Sequence, residues 1–155
     1  MISSHAQANS WSARFRRRRM RILDDLLATM GNDRLSLVDL GGTRSFWEMN
    51  LRHLRQRERL ERIDVFNLEI GAERNSRIEN IALREQPGDV TDLRHLPDGQ
   101  YDLAFSNSVI EHVGNLSCQR RFAGEIQRIA PAFMLQTPNR HFPMEPHFYM
   151  PFFQI

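Results

Sequence analysis

The segment LSLVDLGGT, residues 35–43, constrains this chain more than any other. A short apolar run closed by Gly41 and Gly42 reads as a strand buried on both faces, which is the habit of parallel sheets. Parallel neighbours need crossovers. The stretch that follows, SFWEMNLRHLRQRERLER, puts Phe46, Met49, Leu51, Leu54 and Leu60 on a helical repeat among many charges. Strand, glycine turn and helix make half of a βαβ unit.

The pattern continues along the chain. Further strands are predicted at IDVFNLE, at IALREQP before Gly88, at YDLAFSNS after the turn signal Pro97-Asp98-Gly99, and at AFMLQT before Pro138. A helix is predicted over LSCQRRFAGEIQRIA. Another is predicted over ARFRRRRMRILDDLLATMG, where Phe15, Met20, Ile22, Leu23, Leu26, Leu27 and Met30 fall at roughly helical spacing and Gly31 supplies the stop. Alternating strands and helices predict an α/β domain with a mainly parallel sheet. Residues 1–12 are polar and unpatterned and read as a disordered tail, with one domain over 13–155.

Composition narrows the function classes. With 155 residues, 41 % hydrophobic and 26 % charged, the chain suits one folded domain. No run approaches the 18 or more apolar residues of a membrane span, and no apolar segment follows the N-terminal arginines, so spanning and secretion are disfavoured. The single cysteine, Cys118, excludes an intrachain disulfide and paired-cysteine metal sites, which fits a cytoplasmic location. Every one of the 21 basic residues is arginine, with a net charge of only +2. Absence of lysine reads as codon bias rather than as a nucleic-acid surface. The run from Arg16 to Arg19 could grip phosphates of RNA or of anionic lipid. Asp24 and Asp25 follow closely and no aromatics interleave, so a solvated helix face is the plainer reading.

In open parallel sheets ligands bind beyond the carboxyl ends of the strands. There the first strand delivers Asp39, Gly41, Gly42 and Thr43, whose backbone can approach a ligand closely. The second ends in Asn67 and Glu69, suited to a ribose diol. Asp89 follows the third, where a carboxylate can accept from an exocyclic amine, and Ser106 and Asn107 end the fourth. Each alone is an ordinary turn, loop carboxylate or cap; their order and spacing set them apart.

The stretches VDLGGTRSFW, FNLE, GDVTDLRHLPDGQYDLAFSNSVIEHV and QTPNRHFPMEPHF resemble class I S-adenosylmethionine-dependent methyltransferases, in particular the bacterial methyltransferase-domain group, from residue 35 to the C-terminus. The resemblance implies a Rossmann-like parallel sheet with helices on both faces. It also implies that Asp39, Gly41, Gly42 and Thr43 line the methionine moiety, that Glu69 or Asn67 faces the ribose, that Asp89 and Val90 hold the adenine, and that Asn107 closes the floor. The chain departs from the family pattern where Thr43 and Ser45 stand at glycine places and where Asn67 replaces an acid. The superfamily sheet has seven strands, the last two an antiparallel hairpin. About five are present here, so that final hairpin is expected to be missing and the domain incomplete at its C-terminus.

The implied function is methyl transfer from S-adenosylmethionine to an unidentified small-molecule acceptor, weakened if the chain is truncated. The alternative is a non-catalytic Rossmann-like module that binds RNA or a protein through the Arg-rich first helix. A nicotinamide enzyme is disfavoured by the lack of Gly-x-Gly-x-x-Gly. A sulfonium donor makes a general base optional. Glu111 or His112 would be best placed for that role, although Glu111 also suits a salt bridge and His112 a packed loop. His141, Glu145 and His147 match no helical ligand motif, and Pro143 and Pro146 make their segment an irregular loop, so no metal is expected. No specific nucleic acid is expected. The apolar end, with Met144, Phe148, Tyr149, Met150, Phe152 and Phe153, invites aggregation, homodimerisation or membrane-surface contact.

Overall fold

The computed structural model describes residues 11–137. Helix α1 (Trp11–Thr29) leads into β1 (Leu35–Leu40), α2 (Arg44–Asn50), two 3-10 turns, β2 (Leu60–Asn67), the hairpin β3 (Arg74–Ile78) and β4 (Ile81–Pro87), β5 (Leu103–Asn107), α3 (Leu116–Ile129) and β6 (Ala132–Gln136). The sheet has the order β3-β4-β2-β1-β5-β6. All neighbours run parallel except β3 against β4. Strand order reverses at β1, between β2 and β5. The result is a Rossmann-like α/β fold.

Alternation along each strand divides the core in two. Leu35, Leu37, Ile63, Val65, Leu103 and Phe105 face α1 and α2. Val38, Leu40, Phe66 and Ala104 face α3, where Phe122, Ile126 and Ile129 close over them. Helix α1 contributes the stripe Met20, Leu23 and Leu27, all fully buried. Two polar clasps fix its direction. Asp24 accepts from Arg55 Nε and Gln56 N, both at 2.8 Å. Arg59 donates to the carbonyls of Leu27, Met30 and Asn32 and so satisfies the free acceptors at the helix C-terminus. The last turn of α1 therefore sits by the start of β2, and its first turns lie toward the carboxyl ends of the strands.

Three expectations need correction. The helix predicted over 45–62 ends at Asn50 and continues as 3-10 turns at Leu51–His53 and Arg57–Arg59. Beyond Leu54 its apolar spacing lapses until Leu60, so a longer helix would have no face to bury. The sheet holds six strands rather than about five. The missed strand, RNSRI, carries one apolar residue and exists because the two-residue turn Glu79-Asn80 folds it back on β4, with Glu79 at φ 53°. Helix α1 begins at Trp11, inside the expected tail. Residues 1–10, the ligand-like trio His141, Glu145 and His147, the aromatic end and the question of a final hairpin lie outside the described residues.

Candidate functional site

The turn after β1 is built around a buried carboxylate. Asp39 is 1 % exposed and accepts from Trp47 Nε1 at 2.7 Å, while its Oδ1 has no partner among the described residues. Burial raises its pKa to about 7, with the Trp47 hydrogen bond acting in the opposite direction. Gly42 lies directly on it: a Cβ there would fall 1.8 Å from Asp39 Oδ2. Gly41 has φ +85°, and a Cβ on it would fall 2.5 Å from Val109 Cγ2. Both positions therefore exclude any side chain. Thr43 then caps α2, its Oγ1 accepting from Phe46 N at 3.3 Å.

Strand β2 holds this turn from the side. Asn67 Nδ2 donates to the carbonyls of Gly41 (3.2 Å) and Gly42 (2.9 Å), and its Oδ1 accepts from Glu69 N (3.0 Å). The Glu69 carboxylate stands exposed at the rim. After β4, Asp89 Oδ1 accepts from both Thr91 N and Thr91 Oγ1 at 2.8 Å, leaving Oδ2 outside these bonds. Val90 is buried beside it. Past β5 the chain turns sharply at Ser108, φ 57°, and again where His112 N donates to Val109 O.

These strand ends enclose a crevice of about 560 Å³, lined by Gly41, Thr43, Asn67, Glu69, Asp89, Val90 and His112 among others. That volume lies within the roughly 300–1,000 Å³ usual for small-molecule sites. Seven of the eleven residues singled out from sequence thus meet at one opening. Asp39 and Gly42, packed against each other, are not in its lining. Asn107 is not in its lining, and its neighbour Ser108 lines the crevice instead. Glu111 points elsewhere, its Oε2 accepting from Thr137 Oγ1 at 3.3 Å. Sequence reasoning missed Ser108, Val109, Cys118 and Arg121 among the other lining residues; Arg121 Nη2 donates to Cys118 Sγ at 3.2 Å. Only α3 was legible for the last two, since its N-cap Asn115 carries Cys118 N on Oδ1. No helix among the described residues is long and apolar enough to cross a membrane.

No curated protein matches the chain significantly. Among solved structures, a candidate S-adenosyl-L-methionine-dependent methyltransferase from Methanococcus maripaludis is 18 % identical with a TM-score of 0.47, covering 72 % of this chain and 50 % of its own. The DhpI-SAM-HEP complex is 19 % identical at 0.43, covering 79 % and 63 %. An O-methyltransferase family protein from Burkholderia thailandensis is 17 % identical at 0.43, covering 79 % and 40 %. The chain spans about half the length of the first of these. The family model described as "Methyltransferase domain" matches residues 45–131, more than half of the chain. By that match, the chain belongs to the methyltransferase-domain family.

Proposed function

We propose that the chain binds S-adenosylmethionine in this crevice and transfers its methyl group to a small-molecule acceptor. The observation that supports this most is the convergence of Gly41, where no side chain fits, with the Glu69 and Asp89 carboxylates on one opening of suitable size. Gly41 and Thr43 would let backbone groups meet the methionine moiety, with Asp39 and Gly42 shaping the turn from behind. Glu69 would accept from the ribose hydroxyls, and Asn67 would hold the glycine turn in register for it. Asp89 Oδ2 would accept from the adenine amine while Val90 packs on the ring.

When bound, the cofactor supplies an electrophilic methyl on a positively charged sulfur. The protein's work is then to align the acceptor with that methyl and exclude water. Of the two general-base candidates, His112 is the one that lines the crevice and would take a proton from the acceptor. Thermal unfolding with S-adenosylhomocysteine tests the binding step. Saturation at about a hundred times the dissociation constant should add roughly 2.7 kcal/mol. No stabilisation, and no heat on calorimetric titration at high micromolar ligand, would reject the reading.

A further inference from the structure

The first turns of α1 carry a surface that the crevice does not use. Arg14, Arg16, Arg17, Arg18, Arg19 and Arg21 fall within eight positions, with no acid before Asp24. At 3.6 residues per turn they spread around the helix rather than along one side. Arg19 leans onto β6, where its Nε donates to Gln136 Oε1. Arg16 continues the stripe of Met20, Leu23 and Leu27, yet it is exposed where they are fully buried. This end of the helix therefore overhangs the sheet.

Arg52 and His53, both exposed, extend the positive surface. Burial and then the charges of Arg52, Arg17 and Arg16 hold His53 below the usual histidine value, so these cations share one field. Arg16, Arg18, Arg21 and Arg52 form no ion pair with a described carboxylate. The nearest acids in sequence are engaged elsewhere: Asp24 and Asp25 with Arg55, and Glu48 with Arg44.

We infer that this surface binds the phosphodiester backbone of a nucleic-acid strand without reading its bases. Seven helical rises set the outer arginines about 10 Å apart, which suits a row of phosphates better than one small anion. Guanidinium forks match phosphate oxygens in geometry as well as charge. An anionic membrane is the rival polyanion, but a helix lying on lipid presents a broad apolar face. Here that face is in the core, and Ile22, 51 % exposed, is the one large apolar side chain described on α1 that stands open. A strand held on α1 would pass the rim where Arg19 meets the end of β6. The inference is independent of methyl transfer.

Fluorescence anisotropy of the full chain with labelled single-stranded RNA and DNA oligonucleotides tests it. Binding should weaken linearly in log K against log salt between about 50 and 200 mM. The variant Arg16→Gln/Arg18→Gln/Arg21→Gln should bind at least tenfold more weakly, with the slope reduced by about 2 if each arginine meets one phosphate. Arg34→Gln/Arg74→Gln/Arg120→Gln removes equal charge from exposed positions off α1 and should change affinity less than about twofold. Binding of RNA, DNA or both with these differences supports the inference. Equal loss in the two variants, no salt-dependent binding, or tighter binding to phosphatidylserine vesicles than to either oligonucleotide overturns it.

Discussion

The carboxyl edge of the sheet is finished in two ways. At β1, β2 and β4 it presents backbone: glycines without room for a side chain, an asparagine clasping them, and carboxylates at the rim. At β5 and β6 it presents bonded side chains: Ser106 Oγ donates to the backbone carbonyl of Leu40 at 2.8 Å, Thr137 to Glu111, Arg19 to Gln136. The first half borders the opening at Gly41, where no side chain fits. The second is tied together by side chains. Backbone geometry suits a shared ligand, and side-chain chemistry suits a particular one.

The sharpest way to break this comparison is pH, because the backbone half is built over Asp39. Its folded pKa of about 7 lies above the ordinary 3.8, so across that window the folded state keeps a proton the unfolded state has lost. The associated stability is complete below about pH 4 and disappears as pH rises through 7, an effect of about 4 kcal/mol. Asp39→Asn should flatten the curve of melting temperature against pH in this interval and raise it at pH 7. Parallel curves for the two proteins would show that Asp39 is not strained by its burial.

A smaller effect separates two neighbours on the same strand end. Glu69→Ala removes a rim carboxylate with no hydrogen bond or ion pair among the described residues, so affinity for S-adenosylhomocysteine should fall about ten- to a hundredfold, or roughly 1.5–3 kcal/mol, with the melting temperature unchanged. Asn67→Ala unties the glycine turn, so affinity and melting temperature should fall together. The reverse pattern, read by calorimetry and thermal melts, would exchange their roles. Smallest is Ser108→Gly on the other half. Ser108 holds φ 57° without being glycine, and relief of that strain should stabilise the fold by about 1 kcal/mol. A fall in melting temperature would mean the serine side chain contributes more than its backbone costs.

Legibility in the sequence followed local pattern. LSLVDL was readable as β1 from Leu35 to Leu40 because it is apolar on both faces and stopped by glycine. RNSRI was not readable as β3, since its pairing comes from the turn after it and the strand beside it. Asp39 was visible as a strand-end acid, but its bond to Trp47, eight residues on, required α2 to fold back over the sheet. Glu111 and His112 looked equivalent in sequence. The turn closed by Val109 O and His112 N sends one toward Thr137 and leaves the other at the crevice.

Sequence alone determined the alternation of strands and helices, the glycine turn and the strand ends that carry polar groups, because periodicity and backbone freedom are local properties of consecutive residues. The tertiary structure decided which of those groups share an opening, which carboxylate is buried, and where the arginines of α1 stand relative to both. Those depend on distances between segments far apart in the chain, which only packing and the order of strands in the sheet establish.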